Sequence, residues 1–230
     1  MRHLKIDWKR VRVVVFDMDG TLYDQRRLRR LMIGELLNHI LRCPARLHDM
    51  LILETFRRER EKHALYAGGH IATAQYEWVT GAVAADPGQV AAVVEAWISN
   101  VPLKYVGRCR YLGVAEFFSA LADRGIATAI LSDYPAEEKM AALGISADLV
   151  LCTTQAAIDR FKPDPKGLAV ISGELGIPLP SMLLIGDRDD RDGECARRAG
   201  IPYLILSKGE SSNGFQSFDQ LISSLKLNFE

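Results

Sequence analysis

Residues 11–21 read VRVVVFDMDGT, and this stretch decides how the rest of the chain is read. Val11–Phe16 is β-branched and apolar with one interruption, the pattern of a strand buried on both faces in a parallel sheet. Asp17 and Asp19 follow at once, two carboxylates two positions apart where the strand ends. Gly20 permits the chain to turn there, so both carboxylates can face one crevice. Carboxylates held that close repel unless a cation or a shared proton offsets the repulsion. Hard oxygen donors of this kind favour magnesium.

Outward from this stretch, similar short apolar runs recur at Ile126–Leu131, Leu149–Cys152, Met182–Ile185 and Tyr203–Leu206. Helical patterns separate them: Val114–Arg124 stops at Gly125, Lys166–Leu175 at Gly176, and 192–199 at Gly200. Strand alternating with helix predicts a doubly wound α/β fold, here with a five-stranded parallel sheet. Ligands in such folds sit beyond the carboxyl ends of the strands. The alternation fails between about residues 24 and 106, where helix follows helix. Leu28, Leu31, Met32, Leu36, Ile40 and Leu41 share one predicted helical face. Further helices are expected over 46–65, 70–84 and 88–99, with a break at Asp86-Pro87-Gly88. The expected organisation is therefore an α/β core of 1–22 and 107–230 with a helical cap of 23–106 inserted into it. Ser207–Ser217, rich in Ser and Gly, is expected to be a loop.

Three other segments bring chemistry to the same crevice. Gly186-Asp187-Arg188-Asp189-Asp190-Arg191-Asp192 follows the strand Met182–Ile185. Ser132 closes the strand Ile126–Leu131. Lys162 sits in Phe161-Lys162-Pro163-Asp164-Pro165, which two prolines stiffen. The four segments together resemble the four motifs of the haloacid dehalogenase superfamily in its phosphatase branch: VVVFDMDGTLYD, LSD, KPDP and GDRDDRDGECARRAG. The resemblance runs from about residue 11 to 206 and implies a Rossmann-like core with a cap in the first insertion position. It implies that Asp17 is the nucleophile and that Asp19 is the general acid and base. It further implies that Ser132 and Lys162 hold phosphoryl oxygens. Asp17, the Asp19 carbonyl, Asp187 and Asp192 would then hold Mg2+. The implied activity is hydrolysis of a small phosphorylated metabolite through an aspartyl-phosphate. The alternatives are mutase-type phosphoryl transfer and a non-catalytic binding module on the same fold. A dehalogenase is disfavoured because that branch does not keep the second aspartate, which is Asp19 here. Two positions depart from the family pattern: Asp133 stands where many relatives have asparagine, and Tyr23 where many have a small apolar residue. Tyr23 is expected to contact substrate.

The plainer alternatives are weaker. A calcium loop begun at Asp17 would need a bidentate Glu at its twelfth position, which is Leu28. Asp189 and Asp190 are read as solvated or paired with Arg188 and Arg191. Arg26, Arg27, Arg29 and Arg30 stand near a helix start, where cations oppose the helix dipole. They are read as a solvated face, with anion binding as the alternative. Tyr76, Trp78 and Trp97 are read as cap core, and His39, His48, His63 and His70 as ordinary side chains.

Of the 230 residues, 48% are hydrophobic, and 29 basic residues balance 29 acidic ones. Proteins that grip nucleic acid through its phosphates usually carry a basic excess, so no nucleic-acid partner is expected. The N-terminal residues lack the apolar stretch of a signal peptide, and no apolar run is long enough to span a bilayer. Cys43, Cys109, Cys152 and Cys195 form no CxxC pair and are read as reduced thiols. The expectation is a cytoplasmic protein with no membrane partner. The sequence is silent on its oligomeric state and its natural substrate.

Overall fold

A computed structural model describes residues 6–42, 47–207 and 213–228. Cys43 lies outside the described residues. The strands are β1 (Val13–Phe16), β2 (Ala127–Ser132), β3 (Leu149–Cys152), β4 (Met182–Gly186), β5 (Tyr203–Leu206) and β6 (Gly214–Phe215). They form one parallel sheet in the order β3-β2-β1-β4-β5-β6. The expected α/β architecture is present, with one strand more than the periodicity announced. β6 falls within the segment read as a loop. Its two residues are too few to show alternation, yet Phe215 is fully buried and pairs with Leu206.

β1 is buried along its whole length because it is central and covered on both faces. Val14 and Phe16 enter one apolar cluster, against Phe117, Phe118 and Leu121 of α6 (Val114–Ala122) and Leu221 and Leu225 of α10 (Phe218–Leu227). Val13 and Val15 enter the other, with Leu168 and Ile171 of α8 (Lys166–Leu175) and Ala196 of α9 (Glu194–Ala199). The pleat alternates side chains between the two faces, which is why an all-apolar run was needed. Register sets Phe16 beside Ile130 on one side and Ile185 on the other. The ends of β2, β1 and β4 therefore lie side by side, and Asp17, Ser132 and Asp187 leave the sheet at one edge.

Between β1 and β2 the chain is helical: α1 (Gln25–Arg42), α2 (Leu47–Lys62), α3 (Ile71–Thr80), α4 (Pro87–Val94) and α5 (Val101–Val106). Ile52, Phe56, Val79, Val90 and Trp97 give this insertion an apolar cluster of its own. Entry and exit lie together, with Tyr23 bridging to Arg110 and Asp24 N–H donating to the Cys109 carbonyl at 2.9 Å. Asp86-Pro87-Gly88, read as the break between the helices expected over 70–84 and 88–99, does separate α3 from α4, and Pro87 is already the first residue of α4. The Asp86 carboxylate accepts from Gly88 and Gln89 N–H, and the Gln89 side chain returns to Asp86 N–H, a capping box with Pro at the first position. A wide π turn, Glu95–Asn100, joins α4 to α5. The face expected on α1 is only partly right: Leu28 is buried, but Leu41 is 82% exposed. A helix unread in the sequence, α7 (Glu137–Leu143), follows β2. Cys109, Cys152 and Cys195 are buried free thiols. No helix among the described residues is long and apolar enough to cross a membrane.

Candidate active site

The strand ends and the insertion enclose a cavity of about 230 Å³. Asp17, Asp19, Lys162, Asp187 and Asp192 all line it, from segments far apart in sequence. Asp17 is fixed by its own N–H, which donates to the Ile185 carbonyl at 2.9 Å, and by Thr21, whose hydroxyl donates to Oδ2 at 2.9 Å. Gly20 has φ +101°, and a Cβ there would collide with the Asp187 carboxylate. A side chain at Gly186 would likewise strike Asp192. Each glycine clears the space that a neighbouring carboxylate occupies.

Lys162 is the hub of the core side. Its ammonium donates to Asp17 Oδ1 at 2.5 Å and to Asp192 Oδ1 at 2.7 Å, and it is almost fully buried. Burial would lower its pKa, but Asp17 and Asp192 hold it well above the usual value. Arg191 donates to the Lys162 carbonyl at 2.7 Å and so fixes the backbone beneath it.

Oxygens of Asp17, Asp187 and Asp192 lie within 4.8 Å of one another, close enough to share one metal ion. Burial pushes the Asp17 carboxyl well up, and the Asp192 and Asp187 charges add to the rise against Lys162. Burial and then the Asp192 charge raise Asp187 to about 6. One ammonium does not balance three carboxylates, and a divalent cation with a preference for oxygen fits the donor set.

The Asp19 side chain points elsewhere. Lys139, from α7, donates to its Oδ1 at 2.7 Å, and the Tyr23 hydroxyl donates to the same oxygen. Burial alone would raise Asp19, but Lys139, with help from the Tyr23 bond, brings its carboxyl below the ordinary value. Burial and the Asp19 charge push Tyr23 well up, so its hydroxyl stays a donor. Tyr23 lines the cavity, and its bond is to Asp19. Ser132 ends β2 buried, and its Oγ accepts from Tyr134 N–H at 3.2 Å. It is not part of the cavity lining, where Asp133 and Tyr134 stand instead. Asp190 pairs with Arg188 as expected, whereas Asp189 pairs with Arg197, which helix α9 brings within 3.1 Å.

The insertion contributes residues the sequence did not announce. Arg60 of α2 donates to the Asp133 carbonyl at 2.7 Å and to Gln75 Oε1 at 3.0 Å. Its guanidinium lies 4.1 Å from the Tyr134 ring centre and 4.3 Å from that of Phe161. Glu61 accepts from Arg188 at 2.6 Å and from Arg191 at 2.5 Å, joining the insertion to the β4 loop. Trp97, read as core alone, lies in the π turn, is in the insertion's cluster and also lines the cavity. Of the four arginines near the start of α1, Arg29 lines the cavity, and Arg57 of α2 joins it. A signal for α7 and its Lys139 was present in Glu137-Glu138 before Lys139 and Gly144 after Leu143, acidic first turn and glycine stop. No comparable signal marked Arg57, Arg60 or Glu61, because a helix surface shows only that a residue is polar.

Comparison with known proteins decides the family. The sequence model of the haloacid dehalogenase-like hydrolases matches residues 11–200. The chain belongs to that family. It is a hydrolase, and its curated relatives are phosphatases. It is 31% identical over 102 residues to N-acetylmuramic acid 6-phosphate phosphatase of Pseudomonas aeruginosa, covering 43% of this chain and 45% of that one. It is 26% identical over 209 residues to glyceraldehyde 3-phosphate phosphatase of Methanopyrus kandleri, covering 87% and 85%. Among solved structures, a 2-haloacid dehalogenase from Pseudomonas syringae pv. tomato superposes with a TM-score of 0.65 at 16% identity, over 94% of this chain and 99% of that one. At that identity the likeness speaks for the fold alone.

Proposed function

We propose that this protein is a magnesium-dependent, cytoplasmic phosphatase that hydrolyses a small phosphorylated metabolite through an aspartyl-phosphate on Asp17. The observation that carries this reading is Asp17 at the end of β1, facing a cavity. The Lys162 ammonium sits 2.5 Å from one of its oxygens, and two further carboxylates share its ion-binding space. Names of the relatives support the substrate class, since they specify N-acetylmuramic acid 6-phosphate and glyceraldehyde 3-phosphate. In this reading residues 23–106 are the cap and 1–22 with 107–230 the catalytic core.

Asp17, the Asp19 carbonyl, Asp187 and Asp192 would hold Mg2+, which neutralises charge between the anionic nucleophile and an anionic phosphate. An oxygen of Asp17 forms a bond to phosphorus as the bond to the leaving oxygen breaks. Lys162 holds a phosphoryl oxygen and offsets its growing charge. Ser132 is assigned the same task through its hydroxyl proton, which the bond from Tyr134 N–H leaves free. Asp19 gives a proton to the leaving oxygen and later takes one from the water that attacks the phosphoenzyme. Lys139 and Tyr23 hold Asp19 ionised at rest. Arrival of a phosphate dianion adds negative charge beside it and raises its proton affinity, so that Asp19 takes from solvent the proton it then gives to the leaving oxygen.

The test is phosphate release from an aryl phosphate with and without magnesium, coupled to trapping of labelled protein. Metal-dependent release of phosphate and label on Asp17 are expected. Release without label on Asp17 would sink the mechanism. Transfer of the phosphoryl group to a sugar, with none to water, would favour the mutase alternative, and no turnover would favour the binding module.

A further inference from the structure

Seven basic side chains line the cavity, and five of them already have an anion or a carbonyl to hold. Lys162 bonds to Asp17 and Asp192, and Lys139 to Asp19. Arg188 bonds to Glu61 and Asp190, and Arg191 to Glu61 and the Lys162 carbonyl. Arg60 bonds to the Asp133 carbonyl and Gln75. The remaining two are Arg29 of α1 and Arg57 of α2. Among the described residues neither forms an ion pair with a carboxylate, and the bond Arg29 makes is to the neutral Gln25 Oε1 at 3.0 Å.

These two guanidinium groups face the same enclosed space beside Leu28, Met32, Trp97 and Ile98. Like charges lining one cavity repel, and no carboxylate among the described residues pairs with either of them to offset that repulsion. Burial within the cleft, and then the charge of Arg29, depress the proton affinity of Arg57; the Tyr134 hydroxyl is the group that opposes this. Arrangements of this kind are tolerated where an anion is to be taken up, and the planar fork of arginine matches a carboxylate or a phosphate.

We propose that Arg29 and Arg57 form a second anion subsite on the insertion side of the cavity, so that the substrate is a phosphomonoester carrying a further carboxylate or phosphate. The inference rests on the phosphatase reading and narrows its substrate class. The scissile phosphate meets Lys162 and Asp17 on the core side. The second anion meets the two arginines, and the short body between them lies against Trp97 and Ile98.

The experiment compares matched pairs with magnesium present: 3-phosphoglycerate against glycerol 3-phosphate, and fructose 1,6-bisphosphate against fructose 6-phosphate. A para-nitrophenyl phosphate assay runs alongside. The member with the second anionic group is expected, in at least one pair, to lead in kcat/KM by about tenfold to a hundredfold, the usual value of a charge-assisted hydrogen bond. The pair that shows the preference says whether the anion is a carboxylate or a phosphate. Arg29→Gln and Arg57→Gln should each bring that ratio towards one, and Arg57→Lys should retain part of it. Both arginines are exposed to the cleft, so neither change disturbs the core. Calorimetric binding of the same pairs to Asp17→Asn, which leaves the ligand intact, should show the same preference. Turnover of the aryl phosphate with no preference in either pair would overturn the subsite while leaving the phosphatase reading intact. Equal losses for the members with and without the second anionic group in the arginine variants would overturn it too. No turnover of any phosphate, the aryl ester included, would remove both.

Discussion

The two walls of the cavity are built on different principles. On the core wall, Asp17, Lys162, Asp187 and Asp192 are held by strand ends and by one another. On the insertion wall, Arg29, Arg57 and Trp97 project from helices, and Arg60 and Glu61 tie those helices to the core. Carboxyl ends of adjacent parallel strands converge whatever the helices do, so chemistry placed there is geometrically secure. A helix surface can exchange its side chains without altering the sheet, so discrimination among substrates suits that wall. In the proposed reading, rate falls to one side and selectivity to the other, and mutations can break that division.

The largest effect is expected at Asp17. In the proposed mechanism Asp17→Asn removes the nucleophile, and it should reduce turnover by about 10⁴-fold or more, with no phosphoenzyme trapped. Asp19→Asn removes only the proposed proton donor and later base. It should lower kcat by about 10²–10⁴-fold with an alkyl phosphate and much less with an activated aryl phosphate. Steady-state rates for both leaving groups on both variants test this. Label on Asp17→Asn, or equal losses for the two leaving groups in Asp19→Asn, would undo the division of labour.

Lys139 tests whether the core wall is as self-contained as it looks. The ammonium is buried against Asp19, with side-chain exposures of 4% and 14%. Removing one partner of such a pair leaves a desolvated charge behind, at a cost of about 3–5 kcal/mol. Lys139→Met should lower Tm by roughly 6–20 °C for a chain of this size. Adding Asp19→Asn to it should restore much of the loss, because the stranded charge is gone. Thermal melts of the two single variants and the double variant form the cycle. A drop that the second change leaves untouched would mean that Lys139 acts through packing alone.

Legibility in the sequence follows the same divide. The gathering of Asp17, Asp19, Lys162, Asp187 and Asp192 at one cavity was legible because each is tied to a backbone event: a strand end, a double-proline turn, a glycine that clears space. β1 and β4 could be found because burial on both faces demands an unbroken apolar run, and β2, β3 and β5 because each keeps a short, mostly apolar run between helical patterns. β6 escaped because two residues carry no period. The Asp86-Pro87-Gly88 step was legible as the boundary between two helices, and Asp86 followed by Pro87 caps and starts the second of them. Leu41 was misplaced because helical spacing identifies a face but not how far along the helix its cover extends. Arg57, Arg60 and Glu61 lie in a run of charges, RRERE, in which periodicity cannot separate the side chain that enters a cavity from its solvated neighbours. That choice is made by how α2 sits on the core, a tertiary fact.

The smallest effect is expected where the two walls are joined, at Glu61. Bonds from Arg188, opposed by some burial and supported by Arg191, lower the Glu61 carboxyl to about 2. A carboxyl depressed on folding contributes stability that is fully present above its unfolded value, about 4.5, and is lost as pH falls from there towards 2. Between neutral pH and about 5 the bridge should therefore be constant. Its size is limited, because the Glu61 side chain is 55% exposed and water screens the pair, which leaves about 0–1 kcal/mol. Glu61→Gln should shift Tm by less than about 4 °C and kcat/KM by less than about fivefold, with both differences shrinking in 1 M salt as the charges are screened. The contrast with Lys139→Met is the informative part. Both changes break a contact of a few ångströms between opposite charges, but one pair is dry and lies under the substrate, while the other spans the rim in water. If Glu61→Gln proved as damaging as Lys139→Met, the rim bridge would be holding the insertion over the core. The two walls would then act as one unit rather than as a catalytic side and a selective side.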